Sequence, residues 1–147
     1  MAETYDSGRG VYLILKNDKN EALFLHRKNA KYLNGMHMLP GGRIDEHESP
    51  TLATARETLE EVGLVIDPVK LIFSHFMYRG AHDDSGDRVD IFFEAKEWNG
   101  DLVNAEPHKC DSLYWFPVGD LPDTVPEYVR VAITQAEEGV RYSEFDW

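Results

Sequence analysis

The stretch from Gly41 to Leu64 constrains the fold more than any other part of the chain, because it contains the signals for a turn, a loop and a helix. Ser49 is a favourable N-cap, and Pro50 suits the first helical position, where its missing N–H has no partner in any case. Gly63 readily adopts the left-handed conformation that ends helices. The sequence therefore predicts a glycine turn, an acidic loop and then a helix that ends at Gly63.

The predicted helix has two contrasting faces. Its spacing places an apolar stripe on one side, formed by Leu52, Ala55, Leu59 and Val62. Glu57, Glu60 and Glu61 lie on the opposite side, three and four positions apart, where their like charges repel. Arg56 can pair with Glu60 or reach back to Glu48, but one arginine cannot neutralise four carboxylates. A hard divalent cation such as Mg²⁺ or Mn²⁺ would supply the remaining charge, and a solvated acidic helix face is the alternative.

Composition and charge exclude several classes of function. The 147 residues suffice for one domain with a hydrophobic core. There are 27 acidic and 15 basic residues, a net charge of −12, which argues against binding polymeric nucleic acid. Cys110 is the only cysteine, which excludes an internal disulfide and a cysteine-built zinc site. No apolar run has the length of a membrane span and the N-terminal residues show no signal pattern, so we expect a cytoplasmic protein without membrane contact.

Apolar runs along the rest of the chain predict a set of strands and a closing helix. Residues 10–16 and 22–27 are predicted to pair as a hairpin. Further strands are predicted at 69–78, 88–95 and 112–116, and an amphipathic helix at 125–138. The six histidines lack metal-binding spacing, so each is predicted to be a structural or surface side chain.

Two polar or aromatic segments have alternative interpretations. The turn at 80–87 (GAHDDSGD) is either a mobile lid that carries acids over a site or, more simply, a solvated hairpin loop. The tail RYSEFDW at 141–147 either docks onto the domain or mediates a homodimer.

From Gly42 to Leu64 the sequence resembles the Nudix box, the pattern GX5EX7REUXEEXGU in which U is a bulky aliphatic residue. Every fixed position matches, and Thr58 departs from the pattern at the first aliphatic position. The resemblance implies a Nudix hydrolase with an α/β/α sandwich fold, a mixed central sheet and one domain over residues 1–147. Such enzymes cleave a diphosphate linkage in a nucleoside diphosphate that is joined to a further group X.

The resemblance also assigns roles within the box. The implied metal ligands are Glu57, Glu60, Glu61 and the backbone carbonyl of Gly41. Arg56 would orient these glutamates through charge-assisted hydrogen bonds. Glu48 would be an outer carboxylate that pairs with Arg56 or assists a second metal ion.

The general base that takes the proton from the attacking water is either Glu57 or Glu106. Members of the family use either an acid of the box or one outside it. Glu106 begins the segment EPHKC just before a predicted strand, where related proteins place an additional acid facing the metal site. A solvated loop acid is the alternative for Glu106.

Residues after the box bear on the identity of the substrate. The group of Nudix proteins selective for ADP-ribose has a proline where this chain has Arg79 or Gly80, and the dinucleoside polyphosphate group has a tyrosine where it has Ala81. Neither marker is present. The segment EPHKC, followed by LYWFP and LP, is instead similar to members that hydrolyse nucleoside triphosphates, including oxidised ones, to a monophosphate and pyrophosphate.

By the same resemblance, Trp115, Phe116 and Asp120 are candidates to bind the base. Neighbouring residues of a strand face opposite sides, so at most one of Trp115 and Phe116 can line a pocket. Arg27, at the end of a predicted strand, is either a contact to substrate phosphate or an ordinary strand-end charge.

Three classes of function follow from these residues. The first is a metal-dependent hydrolase of a small nucleotide. Its substrate is a nucleoside triphosphate or, as the alternative, a nucleotide sugar or ADP-ribose. The second is an isomerase of an isoprenoid diphosphate, for which Cys110 is the only candidate reactive cysteine. The third is a non-catalytic Nudix-like binding module. The hydrolase is favoured because every acid of the box is retained.

Overall fold

The computed structural model describes residues 8–31, 33–81 and 86–147. The strands are β1 (Arg9–Leu15), β2 (Glu21–Arg27), β3 (His37–Met38), β4 (Gly41–Arg43), β5 (Ile72–Arg79), β6 (Arg88–Ala95), β7 (Cys110–Pro117) and β8 (Tyr142–Phe145). The helices are α1 (Pro50–Val62) and α2 (Glu127–Glu137), with a 3₁₀ turn at Pro68–Lys70. No helix of the described ranges is both long and apolar enough to cross a membrane.

The strands form two sheets. The larger sheet is mixed, with the order β4-β1-β6-β5-β8. In it, β1 lies parallel to β6 and antiparallel to β4, and β8 lies parallel to β5. The smaller sheet is antiparallel, with the order β3-β2-β7. The mixed sheet and the two helices agree with the predicted α/β/α sandwich.

Strand β1 separates two hydrophobic cores, since successive side chains of a strand point to opposite faces. One face buries Val11, Leu13 and Leu15 in a core that includes Ala53 and Val62 of α1. The other face buries Ile14 among residues that include Val129, Ala132 and Ile133 of α2. The two helices therefore cover opposite faces of the same strand, and α2 buries the apolar face that the sequence predicts.

The predicted hairpin between residues 10–16 and 22–27 is wrong. The two segments share a single bridge, between Lys16 and Ala22, and do not pair further. The two strands separate after the turn and enter different sheets. The side chain of Asn17 closes this turn, because its Oδ1 accepts hydrogen bonds from the backbone N–H groups of Lys19 and Glu21. Both edges of β1 are already occupied by β4 and β6, which leaves no place for β2.

Helix α1 begins and ends as the sequence predicts. The Ser49 side chain accepts a hydrogen bond from the backbone N–H of Leu52. Gly63 has φ = 73° and donates its N–H to the carbonyl of Leu59. This left-handed backbone costs glycine little and an L-residue more.

The predicted apolar stripe of α1 is confirmed at Ala55 and Val62 and wrong at Leu52 and Leu59, which are 55% and 51% exposed. The buried face consists of Ala53, Thr54, Thr58 and Val62. The threonines tolerate burial because each hydroxyl donates to the carbonyl four residues earlier, at 2.8 Å and 2.7 Å. Thr58, the one departure from the box pattern, is thus a core residue.

The C-terminal tail docks onto the larger sheet as β8. The buried His75 fixes it, since Nδ1 of the ring lies 2.8 Å from the carbonyl of Val140 and Nε2 lies 2.7 Å from Oγ of Ser143. Of the acids of the predicted lid, Asp83 and Asp84 lie outside the described residues, and Asp87 accepts a hydrogen bond from the backbone N–H of Ala81.

Candidate active site

A cavity of about 550 Å³ lies where α1, β4 and the segment after β2 meet. It has three kinds of wall. An acidic wall consists of Glu57, Glu60, Glu61 and Glu106. A basic wall consists of Arg27, Lys28, Lys31 and Lys109, and Arg43 of β4 also lines the cavity. The third wall is aromatic and apolar, with Tyr12, Leu33, Met38, Leu39 and Tyr128. Cavities of this size and mixed lining are typical of small-molecule sites.

Glu57 and Glu61 lie side by side in the acidic wall. They are hydrogen-bonded to each other, and the backbone N–H of Gly41 lies 3.4 Å from Oε2 of Glu61. Burial raises the pKa of both carboxyls, and Glu57 raises the pKa of Glu61 further. Each of the two carboxyls is therefore protonated more readily than an isolated one.

Gly42 allows the glutamates to approach the β4 backbone closely. A Cβ atom at this position would lie 2.7 Å from the carboxyl carbon of Glu57, closer than van der Waals contact permits. A side chain at this position would have to displace the Glu57 carboxylate, while one at Gly41 would strike the backbone carbonyl of Val11 in β1.

Arg56 gathers the carboxylates around α1. It makes a two-pronged ion pair with Glu48, with Nε–Oε2 and Nη2–Oε1 distances of 2.8 Å and 2.9 Å. Its Nη1 lies 2.9 Å from Glu57 and 3.4 Å from Glu60, and its Nη2 lies 3.4 Å from Asp45. The two hydrogen bonds that Arg56 donates to Glu48 lower the pKa of Glu48. One guanidinium thus faces four carboxylates.

The predicted metal ligands have the chemistry that a hard divalent cation requires. Three carboxylates and the neighbouring Gly41 carbonyl offer only oxygen donors, and their negative charge exceeds what Arg56 can balance. The side chains do not converge on an ion position as they stand, and the described part of the chain holds no ready-made cluster of three such ligands. Arg56 draws Glu57 and Glu60 toward itself, while Glu57 and Glu61 share a hydrogen bond. Both oxygens of Glu48 contact Arg56, as expected for an outer carboxylate.

Glu106 faces the same cavity from outside the box. Its carboxylate is 28% exposed and lies 3.6 Å from Nζ of Lys109. Its charge contributes to the raised pKa of Glu61. The structure therefore brings both candidate bases, Glu57 and Glu106, to one cavity.

Arg27 also lies in this cavity, in the basic wall. Its Nε is buried and has no hydrogen-bond partner among the described residues. An unpaired buried donor is costly, and an anion in the cavity would remove that cost. Lys28 and Lys31 lie beside it in the same wall.

The aromatic wall contains two tyrosines that the sequence analysis did not single out. The hydroxyls of Tyr12 and Tyr128 lie 3.3 Å apart, and burial raises the pKa of Tyr12 to about 12. Behind them, Nε of Arg79 lies 2.5 Å from the buried Asp90, and the guanidinium carbon lies 3.8 Å from the centre of the Tyr128 ring. In the sequence, the only signal was a tyrosine within each of two apolar segments.

The predicted base-binding residues lie away from this cavity. Trp115 packs against Trp98 at the edge of the core beneath α1. Phe116 faces the other side of the smaller sheet, against Phe24 and the α2 core. Asp120 is exposed in the turn after β7. The structure thus agrees that Trp115 and Phe116 face opposite sides but brings neither to the glutamates.

The NUDIX domain family matches residues 6–134. The 8-oxo-dGTP diphosphatase of Proteus vulgaris is 29% identical over 88 residues, which cover 58% of this chain and 74% of that protein. The GDP-mannose pyrophosphatase of Enterobacter sp. (strain 638) is 30% identical over 112 residues, which cover 70% of this chain and 55% of that protein.

Among solved structures, a MutT NUDIX hydrolase from Burkholderia pseudomallei superposes with a TM-score of 0.76 and 26% identity. The match covers 86% of this chain and 95% of that one. The predicted fold is therefore confirmed over most of the chain.

Proposed function

The chain belongs to the Nudix family of hydrolases, and we propose that it cleaves a nucleoside triphosphate, ordinary or oxidised, to a nucleoside monophosphate and pyrophosphate. The observation that carries this proposal is that acidic, basic and aromatic side chains line one cavity. These three walls correspond to the metal-bound diphosphate, the outer phosphates and the nucleoside of such a substrate. The similarity to the 8-oxo-dGTP diphosphatase of Proteus vulgaris supports the same substrate class.

We propose Mg²⁺ or Mn²⁺ as the cofactor, held by Glu57, Glu60, Glu61 and the Gly41 carbonyl. When bound, such an ion screens the diphosphate oxygens, stabilises the leaving phosphate and acidifies water. Arg56 holds Glu57 and Glu60 at the cavity wall and compensates part of their charge when no metal ion is bound. Glu48 in turn fixes the Arg56 guanidinium through two hydrogen bonds.

The basic wall would bind the phosphates. Arg27 offers the unpaired Nε, and Lys28 adds a second positive charge. A charge-assisted hydrogen bond to a phosphate oxygen is stronger than one between neutral groups. Positive charge here also offsets the overall charge of −12, which would otherwise repel an anionic substrate.

The proton of the attacking water would pass to Glu57 or Glu106. Glu57 accepts a hydrogen bond from Arg56, which reduces its basicity, while burial acts in the opposite direction. Glu106 contacts only Lys109 at 3.6 Å among the side-chain ion pairs of the described residues. Its carboxylate therefore has the greater freedom to approach a water molecule in the cavity.

For the nucleoside we propose the aromatic wall in place of Trp115, Phe116 and Asp120. Tyr12 and Tyr128 offer a flat surface and two hydroxyl groups, and Leu33, Met38 and Leu39 add an apolar surface around them. A base binds such a wall by stacking and by a few directed hydrogen bonds. Each of these contacts would be made at the end of the cavity remote from Glu60.

A second candidate substrate is a nucleotide sugar. The similarity to the GDP-mannose pyrophosphatase, over 70% of this chain, favours it. The isoprenoid diphosphate isomerase is disfavoured, because Cys110 is buried and burial raises the pKa of its thiol, which makes it a weak nucleophile. A cytoplasmic location remains part of the proposal, and the homodimer stays a prediction.

Product identification on a substrate panel with Mg²⁺, with and without a chelator, tests the proposal. The panel contains ordinary and 8-oxo-nucleoside triphosphates, ADP-ribose, a dinucleoside polyphosphate, a nucleotide sugar and isopentenyl diphosphate. We expect a nucleoside monophosphate and pyrophosphate, formed only with the metal. Release of a sugar phosphate with the highest kcat/KM would favour the second candidate, and isomerisation of isopentenyl diphosphate would overturn the hydrolase.

The choice of base needs a matched pair of variants. If Glu106 is the base, Glu106→Gln lowers kcat by roughly 10²- to 10⁴-fold at saturating Mg²⁺. Glu97→Gln makes the same chemical change at an exposed glutamate that pairs with Lys70 outside the cavity, and should leave kcat unchanged. An unchanged rate in Glu106→Gln would assign the role to Glu57.

A further inference from the structure

The smaller sheet contains a β-bulge at the entrance to the basic wall. The register between β2 and β7 shifts after His26, so that His26 lies opposite Ser112 and Arg27 lies opposite Cys110. Asp111 is the extra residue. Bulges change the direction of the side chains that follow them and are frequent beside active sites. Here the two residues beyond the bulge, Arg27 and Cys110, both line the cavity.

The side chain of His26 holds this bulge through both ring nitrogens. Nδ1 lies 2.7 Å from Oδ1 of Asp111, and Nε2 lies 3.1 Å from the backbone carbonyl of Gly35. A carboxylate and a carbonyl can only accept hydrogen bonds, so both ring nitrogens must donate. Only the imidazolium form of histidine carries two N–H groups. The geometry therefore requires a positively charged His26.

The two contacts of His26 end on the segments that form the basic wall. Gly35 belongs to the segment after β2, and its N–H donates to the carbonyl of Arg27. Lys28 donates its N–H to the carbonyl of Lys109 across the cavity entrance. Holding Gly35 and Asp111 together therefore fixes both ends of the wall that carries Arg27, Lys28 and Lys109.

We propose that doubly protonated His26 is a positioning residue, whose hydrogen bonds to Asp111 and Gly35 hold the basic wall against the phosphates of the substrate. The proposal rests on the proposed function. A neutral imidazole keeps one N–H and must release either Asp111 or Gly35. Substrate affinity should therefore be higher with the imidazolium than with the neutral imidazole.

The groups around His26 come from β3, from β7 and from the segment after β2. The His37 ring of β3 lies 4.7 Å away between centroids, and burial together with the charge of His26 lowers its pKa. Tyr114 of β7 meets His26 edge-on at 6.5 Å. Asp111 remains ionised, because hydrogen bonds from His26 and Ser112 and the charge of Lys28 lower its pKa. Its carboxylate is the only negative group of this set.

The variant Asp111→Asn tests the proposal because it removes the charge that favours the imidazolium while keeping the shape of the side chain. With the best substrate of the panel, we expect KM near pH 7 to rise about fivefold, as for the loss of one hydrogen bond, with kcat within about twofold. The wild-type KM should rise with pH, and the variant should show a flatter profile. Asp18→Asn, in the exposed turn at the other end of β2, is the control and should behave as the wild type.

An equal fall of kcat and kcat/KM in Asp111→Asn, or a KM profile identical to that of the wild type, would overturn the proposal. A readout without turnover covers the case in which this variant fails to fold. In the ¹⁵N-histidine-labelled wild-type protein at about pH 6, both ring nitrogens of His26 should carry protons. One protonated nitrogen at that pH would also overturn it.

The NMR readout further separates this inference from the proposed function. If no nucleotide on the panel is cleaved although His26 is doubly protonated, the substrate assignment fails and the hydrogen-bond assignment stands. If nucleotides are cleaved but His26 is neutral, the proposed function stands and the positioning role fails.

Discussion

Two arginine–carboxylate clusters contact residues of the cavity, and they differ in how the charges balance. Arg56 contacts the carboxylates of Asp45, Glu48, Glu57 and Glu60. Arg79, which lies against Tyr128, pairs with the buried Asp90, and the charge of Arg88 adds to the positive side. The first cluster has an excess of negative charge, and the second has none.

This difference separates a binding site from a structural support. Burial raises the pKa of Glu57 and Glu61 and also that of Asp90, but neighbouring carboxylates raise the first two further, whereas the charges of Arg79 and Arg88 lower the pKa of Asp90. Asp90 is satisfied by Arg79 within the fold, and the same arginine lies flat against Tyr128. Changes in the cluster around Arg56 (the α1 cluster) are therefore expected to alter metal binding and activity. Changes in the cluster of Arg79 and Asp90 (the Asp90 cluster) are expected to alter the free energy of unfolding.

The largest expected effect concerns catalysis at the α1 cluster. Glu61→Gln removes a proposed metal ligand and should lower kcat by roughly 10²- to 10³-fold with a weaker Mg²⁺ dependence. Steady-state kinetics over a Mg²⁺ titration measure both quantities. Glu97→Gln, at an exposed surface position, is the control. Full turnover and full metal affinity in Glu61→Gln would remove the contrast between the two clusters.

The next effect concerns stability at the other cluster. Asp90→Asn takes the carboxylate from a buried pair and should lower the free energy of unfolding by about 3 kcal/mol. Urea denaturation measures it. The double variant Arg79→Met/Asp90→Leu should recover part of this loss, since it removes both charges. A loss below about 1 kcal/mol in Asp90→Asn would show that the pair is not a structural support.

A smaller effect concerns the pH dependence of stability in the metal-free protein. The pKa of Glu61 is raised in the folded state, so the folded state holds a proton that the unfolded chain releases. This group therefore destabilises the protein as the pH rises above the ordinary carboxyl range. With a chelator present, Glu61→Gln should gain about 1–2 kcal/mol over the wild type at about pH 8 and nearly nothing at about pH 4.

Glu48 should respond in the opposite direction. Its pKa is lowered, mainly by the hydrogen bonds from Arg56, so its contribution is present above the ordinary carboxyl range and is lost as the pH falls through its folded-state value. Urea denaturation of Glu48→Gln and Glu61→Gln between about pH 4 and 8 separates the two signs. Parallel curves for the two variants would contradict the assignment.

The smallest effect concerns the aromatic wall in front of Arg79. Tyr128→Phe removes one of two hydroxyls that lie 3.3 Å apart and keeps the ring against the guanidinium. We expect KM to rise about threefold, unequally across bases, with kcat unchanged. Tyr142→Phe in β8 is the control. A uniform change across the substrate panel would mean that Tyr128 does not contact the base.

Local signals allowed most of the α1 cluster to be predicted from the sequence. Ser49, Pro50 and Gly63 act within one turn of the helix, so their effect does not depend on the rest of the fold. The buried face of the same helix was not predictable in this way. Thr54 and Thr58 satisfy their hydroxyls within the helix and enter the core, while the more apolar Leu59 stays outside. Hydrophobicity alone gives the wrong orientation here.

The Asp90 cluster depends on contacts between distant parts of the chain. Tyr12 and Tyr128 are 116 positions apart and meet only because β1 and α2 share a core. Trp115, by contrast, was a candidate for base binding because its segment resembles that of family members, but it packs against Trp98 and does not line the cavity. A linear motif indicates that an aromatic residue is present, but strand order decides which cavity it enters.

The short strand β8 has a consequence for the behaviour of the protein in concentrated solution. β5 has eight residues, and the parallel pairing of β8 covers Phe76 to Arg79 at what would otherwise be an open sheet edge. Open edges recruit strands from other molecules and lead to aggregation. Cleavage before Tyr142 would remove no residue of the cavity, yet light scattering should show growing particles while turnover per folded molecule stays constant. The tail thus protects the enzyme from aggregation in concentrated solution, whereas the cavity determines its activity.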